Sequence, residues 1–377
     1  MIKKIALLAV KVRDHIGFRS ALIQSISKRG IKVYALATDY NEESRAEIIR
    51  LGAYPIDISM SRTGMNPLVD IYDTLSLVRV LKSIEPDVLL SSFIKPIIFG
   101  MAASWLANVP HRVAMIEGLG YVYTEDGNRL TVKKFFLRVI VSFLYKVALH
   151  LAHRVIFLNP DDLKNFTEWK IVDSKKTFML GGIGVDLEQW PYMPPTINPI
   201  RFLFVARLLR EKGIEQFLDA ARCVKIRYPA AEFVVLGDLD SNPGSIRVTQ
   251  MHEWVKSGIG EWPGYVAVPL WLAKSSVFVL PSYYREGVPR SSQEALAMGR
   301  PVITTDTPGC RDTVDDGVNG FVVPVRDKQS LSDAMIRFIE NPELIVLMGI
   351  ESRRLAEKKF NVHKVNERLI SVLESLK

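Results

Sequence analysis

Two glutamates, Glu286 and Glu294, fall in the segment Pro281-Ser-Tyr-Tyr-Arg-Glu286-Gly287-Val288-Pro289-Arg290-Ser291-Ser292-Gln-Glu294. The apolar run Val277–Leu280 before it reads as a strand, and residues 290–299 read as a helix. Gly287 permits unusual dihedrals and Pro289 suits a first helical turn, which puts the amides of Arg290 and Ser291 at a helix N-terminus. One carboxylate then lies at a loop mouth and the other one to two turns into the helix. Each can accept two hydroxyl hydrogen bonds, so the pair suits a hydroxyl-rich ligand. Glu294 alone would read as a helix-surface residue.

A second constellation follows the apolar run Phe202–Ala206: Arg207-Leu-Leu-Arg210-Glu-Lys212-Gly213. Arg207 stands at a strand end and Lys212-Gly213 at the start of the next helix. Two cations and a helix N-terminus suit a diphosphate; the competing reading is a solvated basic loop. Asp238-Leu-Asp240 has the spacing of a metal-binding D-x-D, but the two cations already offer charge compensation, and no H-E-x-x-H spacing occurs. No metal is expected. In the first half, Ile116-Glu117-Gly118-Leu-Gly120 follows an apolar run. Lys11-Val-Arg13-Asp14-His15-Ile-Gly17 follows the first such run. Glu117 reads as a site carboxylate or as a turn residue, and His15 is the histidine of its loop.

These residues need strands that end where they begin. Ile5–Val10, Lys32–Ala37, Tyr54–Ile58, Val88–Leu90, Arg112–Ile116 and Val155–Leu158 are short apolar runs separated by amphipathic stretches. After residue 200 the alternation restarts with Phe202–Ala206, Glu232–Leu236, Val277–Leu280, Pro301–Thr305 and Gly320–Val323, and helices near 213–227, 245–257, 290–299, 328–339 and 343–358. Strands apolar on both faces with helical crossovers mean parallel sheets covered on both sides. Trp190-Pro-Tyr-Met-Pro-Pro-Thr-Ile-Asn-Pro199 holds four prolines and reads as a linker. The expectation is an α/β chain: an N-terminal domain over 1–190, a linker over 191–199, a second domain over 200–358, and a final helix within 359–377 that packs back on the first domain or completes the second. Ligands bind beyond the carboxyl ends of strands in such sheets, so two facing domains would form a cleft.

Length and composition agree with two globular domains: 377 residues, 48% hydrophobic and 24% charged. The two cysteines, Cys223 and Cys310, cannot build a disulfide framework or a four-ligand zinc site, and they fit a reducing cytosol. The start is too short in apolar residues for a signal peptide, and no run is long enough to span a membrane. The net charge of +8 is lopsided: residues 1–180 hold 25 Lys and Arg against 17 Asp and Glu, and the remainder holds 24 of each. A basic half suggests an anionic partner. Between Gly127 and Pro160 there is no Asp or Glu, and Arg129, Lys133, Lys134, Arg138, Lys146 and Arg154 fall there. On a helix, Lys134, Arg138, Ser142, Lys146 and His150 form a drifting polar stripe beside a broad apolar face. That pattern predicts a helix lying in an anionic membrane interface, with Lys134, Arg138 and Lys146 facing lipid. A buried domain helix is the alternative. No nucleic-acid motif accompanies the charge.

The Glu286…Glu294 pair, the Arg207…Lys212-Gly213 loop and the two-domain plan resemble a GT-B retaining glycosyltransferase of glycosyltransferase family 4. The segment Ile116–Gly120 is similar to bacterial N-acetylgalactosaminyltransferases that extend a sugar on undecaprenyl diphosphate. The resemblance implies that Arg207 and Lys212 bind the donor diphosphate, that Glu286 accepts hydroxyls of the transferred sugar, and that Glu294 holds the ribose. It implies that Val288, Pro289 and Arg290 set backbone against sugar and phosphate, with Val266 in Gly264-Tyr265-Val266 near the base. Glu117, with Gly118, stands where many members carry His, and with His15 it falls on the acceptor side. The function so implied is metal-independent transfer of a sugar, N-acetylgalactosamine or another N-acetylhexosamine, from a UDP-sugar to an undecaprenyl-diphosphate-linked sugar. The place implied is the inner face of the cell membrane, held peripherally. The rivals are a UDP-sugar 2-epimerase of the same fold and a non-catalytic nucleotide-sugar-binding protein. A dehydrogenase is disfavoured because no G-x-G-x-x-G follows the first strand.

Overall fold

The computed structural model describes residues 2–61, 66–125, 131–240 and 244–376. The chain divides into two compact units. The first holds seven strands: β1 (Lys4–Leu8), β2 (Lys32–Ala37), β3 (Ala53–Asp57), β4 (Val88–Ser92), β5 (His111–Ile116), β6 (Arg154–Phe157) and β7 (Thr177–Met179). All pairs are parallel, in the order β3-β2-β1-β4-β5-β6-β7. Ile5, Leu7, Val33, Leu90, Val113 and Ile156 are buried in it, each worth about 1.5–3 kcal/mol.

The second unit holds β8 (Arg201–Val205), β9 (Glu232–Leu236), β10 (Glu261–Gly264), β11 (Val277–Leu280), β12 (Val302–Thr305) and β13 (Gly320–Val323). Its order is β10-β9-β8-β11-β12-β13, again parallel. Each unit is thus a doubly wound sheet whose order reverses once, between β1 and β4 in the first and between β8 and β11 in the second. Crevices open beyond the strand ends at such reversals. Two strands escape sequence reading for physical reasons. β7 is three half-buried residues, and β10 is the edge segment Glu-Trp-Pro-Gly, whose proline removes a ladder donor.

The unit borders differ from the sequence expectation. The first unit comprises 1–122, 131–183 and 362–377, and the second 123–130 and 184–361. Residues 191–199 are therefore part of the second unit rather than a free linker. Buried Arg300 donates to the Met193 carbonyl at 2.8 Å, Arg353 donates to the Trp190 carbonyl at 3.1 Å, and a Cβ on Gly299 would lie 2.5 Å from the Tyr192 ring. Proline fixes φ, but the segment still finds partners through its carbonyls and aromatic ring. The described part of 123–130 is held by the Arg285 amide donating to Thr124 Oγ1 at 3.1 Å and Arg326 donating to the Glu125 carbonyl at 3.0 Å. The last helix, Val362–Glu374, belongs to the first unit: Arg368 donates to the carbonyls of Met179 and Leu180, and Arg29 pairs with Glu367 and Glu374.

The helix Val132–Leu151 corrects the polar-stripe expectation. Thr131 caps it, accepting from the Lys134 amide. Lys134 is buried, with its ammonium 4.5 Å from the Tyr121 ring centroid, and Arg138 lies 5.1 Å over Trp169. These cations turn inward because aromatic faces receive them. The outward face is apolar: Val132, Phe135, Phe136, Val139, Phe143 and Val147 are all about half exposed or more. Of the stripe, Lys146 and His150 are exposed. Gly127 and Arg129 lie outside the described residues. The neighbouring helix Ile94–Leu106 packs against both Val132–Leu151 and Pro67–Ile84, and the latter exposes Leu68, Ile71, Tyr72 and Leu75.

Candidate functional site

In the second unit the reversal between β8 and β11 is lined by the two segments singled out in the sequence. After β8 the chain turns through a 3-10 helix, Arg210–Lys212, into the helix Ile214–Arg227. That helix is anchored by Phe217 against Phe204 and Phe233, with ring centroids 5.5 and 6.3 Å apart. Gly213 joins the two at φ +80, and a Cβ there would sit 2.1 Å from the Pro281 carbonyl oxygen. The first loop is thereby pressed onto the segment that follows β11. Gly213→Ala is expected to destabilise the fold by about 2–4 kcal/mol, from the left-handed backbone and the clash. That is a fall in Tm of about 4–16 °C for a unit of this size. An unchanged melting curve would show that the loop relaxes freely.

The close approach brings Lys212 and Glu286 together. Lys212 Nζ pairs with Glu286 Oε1 and lies 4.9 Å from the Tyr284 ring centroid. Both side chains are nearly buried, at 13% and 10% exposed. The Ser282 hydroxyl stands 3.1 Å from Glu286 Oε1 and 3.2 Å from the Glu211 carbonyl oxygen. The Tyr283 and Tyr284 amides donate to that same carbonyl. Glu286 is therefore fixed by a cation and a hydroxyl at the carboxyl end of β11. The Gly287 carbonyl is approached by Gly309, at φ +80, where a Cβ would lie 2.2 Å away. It is Gly309 and Gly213, not Gly287, that hold the left-handed conformation expected near this turn.

Arg207 is brought to the same strand edge but not to Glu286. Its Nη1 lies 2.9 Å from Asp240 Oδ2, and its side chain is 38% exposed. The second carboxylate of the D-x-D is thus an arginine partner. Among the described residues no group of three or more His, Cys, Asp or Glu is placed to hold a metal ion. Pro289 is the N-cap of the helix Arg290–Ala297, and Val288 is buried before it. Arg290 donates to Glu294 Oε1 at 3.0 Å and to the Gly184 carbonyl at 2.7 Å. Burial raises the Glu294 pKa, and the Arg290 charge opposes the rise. Val266 is half-buried just beyond β10, and the end of β10 is tied to the end of β9 by the Gly237 amide donating to the Gly264 carbonyl.

The first unit has a pocket at its own reversal, beyond β1 and β4. Leu8, Ala9, His15, Arg19, Ser92, Phe93 and Glu117 are among its lining residues. His15 is buried and its Nε2 lies 3.0 Å from the Leu36 carbonyl oxygen. A carbonyl only accepts, so Nε2 carries the proton and Nδ1 is bare. Nδ1 is buried without a partner. Burial lowers the His15 pKa to about 4, against the pull of the Leu36 carbonyl, so the ring is neutral near pH 7. Glu117 pairs with Arg19, both side chains under 10% exposed, and Gly118 follows at φ +98. The sequence singles out His15, Glu117 and Gly118 in this region and gives no sign of Arg19, Ser92 and Phe93. Phe93 sits at φ +71, a strained conformation for a bulky residue, at the start of the helix Ile94–Leu106. Nothing in the sequence marks that dihedral. Arg19 follows the helix Val12–Phe18 and precedes the helix Ser20–Ser27, with no periodic signal to set it apart.

Residues 199–341 match a family described as Glycosyl transferases group 1, and residues 4–159 match one described as Glycosyl transferase 4-like. The chain is 27% identical over 341 residues to the N,N'-diacetylbacillosaminyl-diphospho-undecaprenol alpha-1,3-N-acetylgalactosaminyltransferase of Campylobacter jejuni, covering 87% of each chain. It is also 27% identical over 313 residues to the UDP-Gal:alpha-D-GlcNAc-diphosphoundecaprenol alpha-1,3-galactosyltransferase of Escherichia coli, covering 78% of this chain and 77% of that one. Among solved structures, HepE of Anabaena in complex with UDP-glucose superposes with a TM-score of 0.77 at 18% identity, over 99% of each chain. Sucrose-phosphate synthase of Thermosynechococcus elongatus gives 0.79 at 16%, also over 99% of each. Both halves of the chain fall to glycosyltransferase families, and the chain is a GT4-like hexosyltransferase of the GT-B fold.

Proposed function

We propose that the chain is a retaining glycosyltransferase that moves an N-acetylhexosamine, N-acetylgalactosamine first among them, from a UDP-sugar to an undecaprenyl-diphosphate-linked sugar in surface polysaccharide or glycan biosynthesis. The observation that carries this reading is the nearly buried Lys212–Glu286 pair at the reversal point of the second sheet, with Ser282 on the same carboxylate. A cation and a hydroxyl acceptor side by side fit the junction of a diphosphate and a sugar. The names of the Campylobacter jejuni and Escherichia coli relatives, both acting on undecaprenyl-diphosphate-linked sugars, support the acceptor class.

In this reading the bond between the anomeric carbon and the β-phosphate oxygen breaks as the acceptor hydroxyl oxygen bonds to that carbon from the same face. The electron pair leaves with the diphosphate, where Lys212 and Arg207 meet the growing charge. The hydroxyl proton passes to the leaving phosphate oxygen or to the Glu117 carboxylate. Glu286 holds a hydroxyl of the transferred sugar, and Glu294 the ribose. No divalent metal takes part, because the two cations supply the counter-charge. His15, Glu117 and Gly118 receive the acceptor. The chain works as a peripheral protein on the inner membrane face, resting on the apolar outward side of Val132–Leu151. No described helix is long and apolar enough to cross a membrane.

The test is a screen of UDP-sugars against lipid-diphosphate-linked acceptors, with the product read by mass. Sugar interconversion without acceptor would mean epimerisation, and UDP binding without turnover would mean a binding protein. Within it, Glu286→Gln is expected to lower kcat by about 10–100-fold with little change in UDP affinity, since its contact is to the sugar. Glu294→Ala is expected to weaken UDP itself by about 10-fold or more, the scale of one charged hydrogen bond. Unchanged turnover in Glu286→Gln would remove the sugar-site assignment.

A further inference from the structure

Positive charge gathers at the other edge of the first sheet, where β5 and β6 begin and the helix Val132–Leu151 ends. Arg112 donates from Nε to the Leu151 carbonyl and from Nη1 to the Val109 carbonyl, both at 2.8 Å. Lys176 Nζ donates to the His150 carbonyl at 2.7 Å. These cations close the carboxyl end of the helix, where its dipole favours them. That role does not use Arg112 Nη2, which lies 3.4 Å from His153 Nε2. The His153 ring centroid is in turn 5.9 Å from that of His111.

The tautomer of His153 decides what those two facing nitrogens do. The Arg112 amide donates to His153 Nδ1 at 3.0 Å, so Nδ1 carries no proton. Burial lowers the His153 pKa, and the charges of Arg112, His111 and Lys176 lower it further, so the ring is neutral near pH 7. A neutral imidazole has one donor nitrogen and one acceptor, which puts the proton on Nε2. The guanidinium nitrogen opposite also only donates. Two donors thus converge, and an acceptor oxygen satisfies both at once. The charges around them call for an anion. Burial lowers the Arg112 pKa, and it lowers that of Lys176, where Asp173 opposes the fall and Arg112 adds to it.

We propose that Arg112 Nη2 and His153 Nε2, with Lys176 and His111 beside them, form a site for a phosphate-class anion. A carboxylate is best held by two parallel donors of one guanidinium, and here Nε and Nη1 are already engaged by carbonyls. Single donors from separate groups suit the several oxygens of a phosphate instead. The site uses none of the transfer chemistry, so a chain that moved no sugar would still show it. Phe136, Phe143, Val147 and His150 are exposed along one side of the helix that ends here. The same phosphate chemistry therefore has two sources, a free anion and the headgroup of a phospholipid.

The first probe is inorganic phosphate, added to the unaltered protein at pH 8, with sodium chloride of equal ionic strength as control. In 15N spectra of labelled imidazoles, His153 should show Nδ1 bare and Nε2 protonated. Phosphate should move the Nε2 proton downfield and slow its exchange with water, and chloride should not. The second probe is dihexanoyl phosphatidylglycerol below its micelle concentration. A response to phosphate alone assigns the site to a free anion, and a response to the lipid assigns it to a headgroup. A proton on Nδ1, no response to either probe, or an equal response to chloride overturns the proposal. His153→Phe keeps a ring beside His111 and removes the donor. It should weaken the responding probe, read by calorimetry, by about 10-fold or more, the scale of one charge-assisted hydrogen bond. The melting curve should hold, because His153 is exposed. Full affinity in a folded His153→Phe would also overturn the proposal, and the spectra of the unaltered protein decide it if that variant misfolds.

Discussion

Lys212→Ala is expected to lower turnover with a UDP-sugar by about 100-fold or more, the scale on which loss of one transition-state charge partner is felt. The expectation rests on where charge appears. The leaving diphosphate gains negative charge as the sugar departs, and a preplaced ammonium costs no reorganisation at that moment. The structure adds a complication, since Lys212 pairs with nearly buried Glu286. Removing one partner of such a pair leaves an uncompensated charge, worth about 3–5 kcal/mol of stability. Lys212→Ala alone would confound folding with chemistry. The double change Lys212→Ala with Glu286→Gln restores neutrality, so stability should recover toward wild type while turnover stays low. Recovery of both would make Lys212 a structural partner only. Arg207→Ala should lower turnover in the same direction, with some loss of stability as well, because Arg207 is 38% exposed but the Asp240 carboxylate it leaves behind is only 13% exposed. Turnover of the wild type should persist in excess EDTA. Loss in EDTA that magnesium restores would overturn the metal-free reading.

The two segments that line the reversal of the second sheet were legible because their signals are local. A strand end, a cation pair and a glycine at a helix start occupy consecutive residues at Arg207–Gly213. The segment from Glu286 to Glu294 repeats the logic after another strand. What stayed hidden was pairing across the fold. Lys212 with Glu286 spans 74 residues, and Arg19 with Glu117 spans 98. Neither can be read from periodicity, since each depends on which strands become neighbours at the reversal of the sheet. Asp240 illustrates the limit from the other side. Its D-x-D spacing is a local signal for metal, yet the loop delivers it to Arg207. The borders of the units were misplaced for a related reason. Four prolines exclude regular structure over 190–199, but they say nothing about carbonyls that Arg300 and Arg353 can grip.

Replacing Phe136 and Phe143 together by Asp is expected to lower partitioning onto anionic vesicles by about 100-fold at high salt, and by more at low salt, where the leaflet repels the two new carboxylates. Periodicity identified an amphipathic helix here but assigned its faces wrongly. Lys134 and Arg138 turn inward onto Tyr121 and Trp169, and the side left outward holds Phe136 at 59% and Phe143 at 64% exposed. A fully transferred phenylalanine contributes about 1.5–3 kcal/mol, so two half-exposed rings contribute about 3 kcal/mol, or roughly 100-fold. Charge contributes less than the sequence implied. Of this helix's cations, Lys133 and Lys146 are exposed, and each is worth about 1 kcal/mol near an anionic leaflet. Lys133→Gln with Lys146→Gln should therefore weaken binding by about 30-fold at low salt. The loss should shrink as salt screens the charges over ~10 Å at 0.1 M. Because Lys134 is buried, a Lys134→Glu change would report on folding rather than on lipid. Activity on a long-chain lipid acceptor should fall with the vesicle binding of the aspartate double variant. Activity on a short-chain soluble acceptor should stay within about twofold, since surface changes of this kind leave the fold within about 0.5 kcal/mol. Vesicle binding retained within twofold by that variant, with its melting curve intact, would show that this apolar side meets something other than lipid.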